Sequence, residues 1–252
     1  MITQFDHLTL STPSFDAHRK LLSHLGYVER FVERTIRNPN IKRTLVGDFK
    51  EFHALALFDA PQSLSIEIVD QGAGTDIRST IFPIFENVPS PLIESLLGAK
   101  LRIGGRLIRK AKLIGLEAPI YVQNTASGPI VCDSFVMNVQ NLSSSLLVWK
   151  VLGCGVSMEN DYATLTFRSP LHGFTASLFL IEDTEMEPVP LDAYGFNYAA
   201  LISTSARKEK MHLEKEGFLT TSLEEHSVNG KMLELFFITG PRIQAVEILG
   251  LH

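Results

Sequence analysis

The sequence predicts an α+β fold of tandem βαβββ modules that pair into curved mixed sheets. Three segments, which begin at Phe5, Cys132 and Phe196, share one order of a strand, a polar turn, a helix and a glycine. The distance from the strand to that glycine is 19 residues in each segment: His7 to Gly26, Ser134 to Gly153 and Tyr198 to Gly217. Because one small curved sheet with a single helix cannot bury both of its faces, such modules are expected in pairs.

Strand-like runs follow each of these glycines and complete the modules. The runs are RTLVGDFKEFHALALFDAP and SLSIEIVD in the first module, DYATLTFRS and FTASLFLIED in the next, and KMLELFFITG and RIQAVEILGL in the last. Short apolar and alternating runs bounded by turn residues are typical of strands. Each module is therefore predicted to contain a strand, a helix and about three further strands.

A fourth, degenerate module is predicted between residues 76 and 128. Ser79 and Gly98 are again 19 residues apart, SPLIESLLG would supply the helix, and APIYVQN would supply a strand. The basic stretch LRIGGRLIRKAKLIG takes the place of the middle strands. Four modules predict two paired domains, residues 1–128 and residues 129–252.

Length and composition argue against several classes of protein. The chain has 252 residues and a formal net charge of -5, so we do not expect it to bind nucleic acid through clustered positive charge. No apolar run approaches the length of about 18 residues that marks a membrane-spanning helix. Cys132 and Cys154 fit neither a disulfide framework nor a zinc motif, which favours the reducing cytoplasm. The absence of GxGxxG, P-loop, GxSxG and HExxH motifs gives no support to nucleotide cofactors or serine hydrolase chemistry.

A dense basic segment lies at residues 100–112. Its cations are Lys100, Arg102, Arg106, Arg109, Lys110 and Lys112. The simpler interpretation is the solvated face of an amphipathic helix that Gly104 and Gly105 interrupt. The alternative is a clamp for a carboxylate or phosphate ligand, or a surface for a partner.

The opening F-D-H-L-T-L, followed by a helix that ends in L-G-Y, resembles the glyoxalase / bleomycin-resistance / extradiol-dioxygenase superfamily, also called vicinal oxygen chelate proteins. A second signature of that family is a turn that leads into the last strand of each module. Similar turns occur as APQSLSIE, where Pro61 precedes Glu67 by six residues, and as GPRIQAVE, where Pro241 precedes Glu247 by six. The glycine of the family's turn is absent from both. The resemblance covers nearly the whole chain except residues 76–128.

The resemblance implies a divalent metal, held by a His on the first strand and a Glu on the fourth strand of paired modules. Carried over by position, the metal ligands are His7, Glu67 and Glu247. Imidazole and carboxylate ligands suit Fe(II), Mn(II), Ni(II) or Zn(II), with positions left open for two vicinal substrate oxygens.

The other modules depart from the family's pattern. Tyr198 stands at the His position of the last module, and Ser134 and Ser79 stand at that position in the third and second modules. Phe179 replaces the Glu of the third module, and the second module has no recognisable Glu. No two consecutive modules therefore carry the usual ligand set, which weakens a metalloenzyme interpretation.

The candidate ligands also have structural interpretations. His7 is either a ligand or a hydrogen-bonded core histidine. Glu67 shares one strand face with Ser65 and Val69. A carboxylate there is solvated, paired or a ligand, because burial of an unpaired charge is costly. The same alternatives apply to Glu247, and we favour a pocket location for both.

Two further residues are candidates for catalysis. Tyr198 is either a phenolate ligand or a pocket residue that hydrogen-bonds or stacks, and the second interpretation is preferred. His53, in the strand EFHALALF, is a pocket acid or base, since its ordinary pKa is near neutrality, or an ordinary strand histidine. His18 and His24 lie on the predicted first helix and are expected in solvent.

Three functions follow from these interpretations. The first is a metal-dependent dioxygenase, isomerase or lyase that acts on a small oxygen-rich or aromatic molecule. The second is a metal-free protein that sequesters a small molecule, as bleomycin-resistance proteins do. The third is a noncatalytic interaction protein that uses the basic segment. The expected partner is a small-molecule ligand, without nucleic acid or membrane, and a homodimer is compatible with the resemblance.

Overall fold

The computed structural model is built from two mixed sheets, one of nine strands and one of eight. The residues that the structure describes are 1–70, 77–123, 128–159, 161–171, 173–187, 189–240 and 243–251. Within these ranges the chain forms 17 strands and three α-helices, and none of the helices is long and apolar enough to cross a membrane. The predicted α+β class of βαβββ modules is confirmed.

The first module has the predicted order. It contains β1 (Ile2–Ser11), α1 (Phe15–His24), β2 (Val28–Arg37), β3 (Phe52–Asp59) and β4 (Ser65–Asp70), with a 3-10 helix (Asn40–Thr44) between β2 and β3. Leu21 and Leu22 on α1, with Leu25 just after it, bury an apolar face in the core. The helix ends before Gly26, whose φ of 85° lies in the left-handed region that favours glycine.

The third and fourth modules repeat this arrangement. The third contains β9 (Val131–Val139), α2 (Leu142–Val151), β10 (Gly155–Met158), β11 (Tyr162–Arg168) and β12 (Thr175–Glu182). The fourth contains β13 (Gly195–Ser203), α3 (Ala206–Lys215), β14 (Leu219–Thr220), β15 (Glu224–Val228), β16 (Lys231–Thr239) and β17 (Val246–Leu251). Gly153 and Gly217 follow their helices with φ of 92° and 89°. The equal spacings in the sequence therefore mark the same helix end in three modules.

The second module has no α-helix in the described residues, and the helix predicted at 90–98 is wrong. The module consists of β5 (Ile81–Glu86), β6 (Ile93–Ile103), β7 (Arg106–Leu113) and β8 (Leu116–Gln123), with a 3-10 helix (Ser90–Leu92) before β6. Gly98 does not end a helix. It lies where the register of β6 against β7 shifts, between Leu97 and Lys100. The fourth 19-residue spacing is thus a coincidence of sequence.

The basic segment forms the middle strands β6 and β7, so its interpretation as an amphipathic helix is also wrong. Gly104 and Gly105 form the two-residue turn of this hairpin, and both have positive φ, 53° and 73°. Two adjacent residues with positive φ match the twist of a tight β-hairpin. The hydrogen bonds of β7 to both β6 and β8 then fix the extended conformation.

The first sheet pairs modules that are not consecutive in the chain, whereas the second sheet pairs consecutive modules across the predicted domain boundary. In the first sheet the order is β14-β16-β17-β13-β1-β4-β3-β2, with β15 beside β16, so it joins the first and last modules. In the second sheet the order is β10-β11-β12-β9-β5-β8-β7-β6, so it joins the middle two. The predicted division at residue 128 falls between β8 and β9, and these neighbouring modules share a sheet. The first module was expected to pair with the second, and the third with the fourth. The sequence does not specify which first strands pair, so this expectation rested on chain order alone.

The hydrophobic core joins the two sheets and the helices. Phe5 of β1 stacks on Trp149 of α2, with ring centroids 5.6 Å apart. Phe5 also meets Phe135 and Phe167 edge to face, with centroids 5.7 Å and 5.8 Å away. Aromatic contacts of this kind combine a large buried area with favourable ring electrostatics. The first sheet is therefore covered on one face, and its other face, called here the cavity face, carries the candidate site.

Candidate functional site

A bulge in β1 turns His7 towards the cavity face. Phe5 pairs with Leu201 and His7 pairs with Ala200, so Asp6 is an extra residue in β1. Simple alternation would have placed Phe5 and His7 on the same face of the sheet. The bulge instead leaves Phe5 in the core and lets His7 reach the cavity.

The pairing of β1 with β13 makes the first and last modules equivalent around the site. The two strands are antiparallel, with His7 opposite Ala200 and Thr9 opposite Tyr198. An approximate two-fold axis between the strands therefore relates His7 to Tyr198 and Thr9 to Ala200. Tyr198 occupies the His position of its module, as the sequence alignment of the modules predicted.

The two glutamates are equivalent in the same way. In the first module Glu67 of β4 lies opposite Thr9, and in the last module Glu247 of β17 lies opposite Ala200. The strands β4, β1, β13 and β17 are neighbours in the sheet. The pairing of the first module with the last therefore brings His7, Glu67, Tyr198 and Glu247 together, although no two consecutive modules hold them all.

The His7 imidazole lies between the two glutamates. Its Nε2 is 3.5 Å from Glu67 Oε2 and 3.8 Å from Glu247 Oε2. Its Nδ1 is 2.8 Å from Asp6 Oδ2, which fixes the orientation of the ring. Among the described residues, Nε2 has no hydrogen-bond partner although it is buried. Thr9 Oγ1 donates to Glu67 Oε2 at 3.1 Å and fixes that carboxylate.

Lys42 is a site residue that the sequence analysis did not identify. It lies on the 3-10 helix between β2 and β3, is only 4% exposed, and lines the same cavity. Its Nζ donates to the Tyr198 hydroxyl at 3.0 Å and lies 5.1 Å from the centroid of the Tyr198 ring. The Tyr198 hydroxyl in turn lies 3.5 Å from Glu67 Oε2 as a donor. A lysine in a loop is ordinarily solvated, so its local sequence carries no sign of burial.

Burial and neighbouring charges shift the pKa values of the central groups. Burial would lower the pKa of His7, but Glu67 and Asp6 outweigh it and hold that pKa well above its usual value. Burial would raise the pKa of Glu67, but His7 and Lys42 outweigh it and lower that pKa. Burial raises the pKa of Glu247, although Lys42 opposes the shift. The two equivalent glutamates therefore differ, since Glu67 is the stronger acid.

Lys42 and Tyr198 are in contact, and the pKa values of both groups are raised. Burial would lower the pKa of Lys42, but the oxygens of Tyr198, Glu247 and Glu67 outweigh it, so that pKa lies above the usual value. Burial raises the pKa of Tyr198, although Lys42 opposes the shift. Lys42 is therefore an ammonium and Tyr198 a neutral phenol near neutral pH. The neutral phenol does not favour the interpretation of Tyr198 as a phenolate ligand.

His7, Lys42, Glu67 and Glu247 line part of a cavity of about 500 Å³. Its remaining walls are mainly apolar, with Phe31, Leu55, Leu57, Leu233, Leu235 and Leu249. A volume of this size suits a small organic molecule. A surface groove of about 560 Å³ near the amino terminus, α2 and α3 is larger, but its described lining holds no comparable cluster of imidazole and carboxylate groups. The smaller cavity is therefore the candidate site.

Two neutral histidines stand in the cavity wall. His53 of β3 is 6% exposed, and burial, followed by the charge of Lys42, lowers its pKa to about 3. In the described part of the chain, His53 Nδ1 is buried without a hydrogen-bond partner. Burial and Lys42 also lower the pKa of His226 on β15. Both imidazoles can exchange hydrogen bonds with a bound molecule without carrying charge.

His18 differs from the prediction, whereas His24 is exposed as expected. His18 is 1% exposed on the buried side of α1, and its Nδ1 is 2.7 Å from Thr12 Oγ1. Burial lowers the pKa of His18 to about 4. The helix was predicted to be solvated at this position because the sequence does not show that Tyr194, from the segment before β13, covers it.

The second sheet replaces the polar cluster with an apolar one. In its register, Ser134 of β9 is equivalent to His7, and Phe179 of β12 is equivalent to Glu67, as the sequence predicted. Phe82 and Tyr121 take the places of Tyr198 and Glu247. Phe82, not Ser79, therefore stands at the His position of the second module, because β5 begins only at Ile81.

The basic segment is part of the second sheet and is away from the candidate site. Arg106 Nη1 contacts Asp133 Oδ1 at 2.9 Å, Ser134 Oγ at 2.8 Å and Glu86 Oε1 at 3.1 Å. Arg106 is thus occupied by carboxylates of its own chain, which gives no support to an anion clamp at this residue.

Solved structures of other proteins have a similar fold over nearly the whole chain. A glyoxalase I mutant from Zea mays has a TM-score of 0.66 at 14% identity, over 98% of this chain and 92% of that chain. A putative dioxygenase from Bacillus subtilis has a TM-score of 0.66 at 9% identity, over 99% of this chain and 85% of that chain. No family model matches the sequence, and no curated protein matches it significantly. The chain therefore has the glyoxalase and dioxygenase fold, and the predicted resemblance is confirmed at the level of fold.

The predicted ligands converge but do not form a finished metal centre. In the described ranges, no set of three or more His, Cys, Asp or Glu side chains is arranged to hold a metal ion. The donor types nevertheless fit a divalent transition metal, since they are one imidazole nitrogen and two carboxylates. Two ligands at about 2.1 Å from one ion lie roughly 3 to 3.5 Å apart. The separations around His7 Nε2, 3.5 Å and 3.8 Å, are slightly wider. Pro241, from which the second turn was predicted, lies outside the described residues.

Proposed function

We propose that this protein is a metal-dependent enzyme that acts on a small molecule bound in the cavity of the first sheet. One observation carries the proposal: the buried His7 Nε2 has no hydrogen-bond partner among the described residues and lies between the carboxylates of Glu67 and Glu247. An orphaned buried nitrogen is costly unless a ligand or ion satisfies it. The fold, shared with a glyoxalase I and a putative dioxygenase, makes a dioxygenase, isomerase or lyase the reaction class to test.

The proposed ligands are His7, Glu67 and Glu247. A divalent ion held there would polarise substrate oxygens as a Lewis acid. Asp6 orients the His7 ring through Nδ1, and Thr9 holds Glu67. Partners of this kind orient metal ligands and strengthen binding. The closing movement required is small, because Nε2 is already within 3.8 Å of both carboxylates.

Tyr198 and His53 have separate proposed roles. Tyr198 is fully buried beneath the cavity and hydrogen-bonds Lys42 and Glu67, so it is a positioning residue. His53 faces the cavity as a neutral imidazole, and its Nδ1 has no hydrogen-bond partner in the part of the chain that the structure describes. A neutral imidazole can accept a proton from a bound molecule. Burial, followed by the charge of Lys42, lowers its pKa to about 3, so His53 is a weak base.

Metal binding by purified variants tests this function. We expect wild-type protein, stripped with a chelator and titrated with Mn²⁺ or Zn²⁺ in a calorimeter, to bind one ion per chain. His7→Ala and Glu67→Ala should each weaken binding at least about 100-fold, since removal even of outer partners costs 10- to 100-fold. Ser134→Ala and Phe179→Leu are the matched controls, because they change the equivalent positions of the second sheet.

Two results would contradict the proposal. One is a wild-type protein that binds no transition metal at millimolar concentration while it remains folded by circular dichroism. The other is equal affinity in wild-type protein and the His7→Ala variant. An ion-free protein that retains an organic ligand in the cavity would instead identify a sequestering function.

A further inference from the structure

We propose that Lys42 anchors the substrate, and that the substrate is a small organic anion whose charged oxygen binds the Lys42 ammonium. The inference deepens the proposed function, since it names the ligand class of the same cavity. It rests on the burial of Lys42, on its contacts and on the walls around it. No role for this residue follows from the sequence pattern.

Lys42 is a buried cation, only 4% exposed. A buried ammonium loses hydration and needs compensating contacts. In the described part of the chain, its one hydrogen-bonding acceptor is the neutral Tyr198 hydroxyl. The ring faces of Tyr198 and Phe237 lie 5.1 Å and 5.6 Å from Nζ. An ammonium has three N–H donors, so Lys42 retains donors for a ligand in the cavity that it lines.

The charges around Lys42 also favour an anionic ligand. Glu67 and Glu247 carry at most two negative charges, which a divalent ion on those ligands would balance. Asp6 carries a further negative charge and pairs with His7 Nδ1. At Lys42 itself the hydrogen-bonded group is the neutral Tyr198 hydroxyl, so an anionic oxygen of a ligand would supply a direct counter-charge that a neutral ligand lacks. The two uncharged histidines, His53 and His226, add hydrogen bonds without adding charge.

Part of the cavity wall is apolar. Phe31, Leu55, Leu57 and Leu233 line the cavity together with Lys42. An apolar wall next to the buried Lys42 ammonium selects a molecule with an anionic end and an apolar body. The cavity volume of about 500 Å³ limits this body to a small organic molecule.

The experiment compares carboxylates with their uncharged amides. Binding of benzoate, benzamide, lactate and lactamide to the full chain is measured by calorimetry, first with a chelator present and then with Mn²⁺ or Zn²⁺. We expect at least one carboxylate to bind about tenfold or more tightly than its amide, since a hydrogen bond to a charged group exceeds one to a neutral group by about that factor. Lys42→Met should abolish this preference, and Lys42→Arg should retain part of it.

Lys110→Met is the matched control, because Lys110 of the second sheet also lies over an aromatic ring, with Nζ 4.5 Å from the Phe82 centroid. It should leave the preference unchanged. An undiminished preference in folded Lys42→Met protein overturns the proposal, and so does the absence of any preference in wild-type protein. If Lys42→Met does not fold, Lys42→Gln takes its place, because it keeps a donor for the Tyr198 hydroxyl but carries no charge; an undiminished preference in folded Lys42→Gln protein overturns the proposal.

The two proposals can fail separately. A charge preference that depends on Lys42 in the chelated protein, without any metal binding, would sustain the anion site and remove the metal enzyme. Metal binding that depends on His7, without a charge preference, would do the reverse.

Discussion

The two sheets of this protein have the same plan, but equivalent positions hold opposite chemistry. In the first sheet the positions are His7, Glu67, Tyr198 and Glu247, and in the second they are Ser134, Phe179, Phe82 and Tyr121. Residues of the β6–β7 hairpin, Ile103 and Ile108, pack on the second set. Apolar side chains therefore fill the space over the second sheet, whereas the equivalent space over the first sheet is a cavity partly lined by polar groups.

The close approach of the hairpin explains why the second hollow is filled. A Cβ at Gly104 would collide with the Phe179 ring, so the turn and the ring fit together only because residue 104 is glycine. The first module has instead a longer connection between β2 and β3, and this connection carries Lys42 into the cavity. The same module plan therefore forms a packed core where the β6–β7 hairpin covers the sheet, and a cavity where the long connection between β2 and β3 leaves space.

Lys42 and Lys110 occupy similar places in the two sheets but have different surroundings. Lys42 lies over the Tyr198 ring, and Lys110 lies over the ring of Phe82, the equivalent residue. Burial lowers the pKa of Lys110. The pKa of Lys42 is raised, since oxygens of Tyr198, Glu247 and Glu67 outweigh burial. An aromatic ring alone therefore does not hold a buried ammonium as carboxylates do.

The largest expected effect is the loss of packing in the second sheet. Phe179→Ala should lower the free energy of unfolding by about 3 to 5 kcal/mol, because it leaves a cavity in a close-packed cluster. Glu67→Gln, at the equivalent position, should cost no more than about 1 to 2 kcal/mol, since it keeps the shape and the Thr9 hydrogen bond. Urea denaturation measures both. Equal costs would show that the two positions have the same structural role.

The second prediction concerns the two lysines. Lys42→Met should lower the free energy of unfolding by about 3 kcal/mol, because Glu67 and Glu247 lose a buried counter-charge. Lys110→Met should change it by less than about 1 kcal/mol, since methionine satisfies an aromatic and apolar surrounding. The same denaturation series compares them. The distinction between the sheets fails if Lys110→Met is the more damaging change.

Acid should destabilise the first sheet before the second. The pKa of His18 is about 4 in the folded protein and 6.5 in the unfolded chain, so the unfolded chain binds more protons below pH 6.5. This group's contribution is present above that pH and falls by about 2 kcal/mol between pH 7 and pH 5. His53, with a pKa of about 3, acts in the same direction, whereas His7, whose pKa is raised, acts in the opposite direction and offsets part of this loss.

Hydrogen exchange at pH 7 and pH 5 checks this prediction. Among residues 77–187 the sequence has one histidine, His172, whereas the rest of the chain has seven. Peptides from β1 to β4 should therefore lose protection at pH 5 before peptides from β9 to β12. A His18→Gln variant should lack its share of the pH dependence. Equal loss in both sheets would contradict the assignment.

The smallest effect is expected for Tyr198→Phe, which copies Phe82 of the second sheet. The variant removes one hydroxyl that contacts Lys42 and Glu67. The expected cost is about 1 to 2 kcal/mol, as for a single buried hydrogen bond. The affinity for a divalent metal should remain within a few-fold of wild type, which calorimetry tests. A loss as large as that of His7→Ala would make Tyr198 a direct ligand.

Much of the fold was predictable from local patterns. The glycines at 26, 153 and 217 end helices because each needs positive φ, and that need is visible in one residue type. The site candidates His7, Glu67 and Glu247 were predictable by their positions on module strands. The basic segment was not, because Gly104 and Gly105 are compatible with both a broken helix and a tight hairpin turn until the neighbouring strand β8 is present.

Local sequence specified the strands and helices of the first, third and fourth modules, because their hydrophobic patterns and helix-ending glycines depend on near neighbours in the chain. Contacts between distant segments specified that the first module pairs with the last, that a bulge turns His7 away from Phe5, and that Lys42 is buried beside Tyr198. Strand pairing and burial depend on contacts between distant segments. Local sequence patterns therefore do not predict which distant segments pair or which polar side chains become buried.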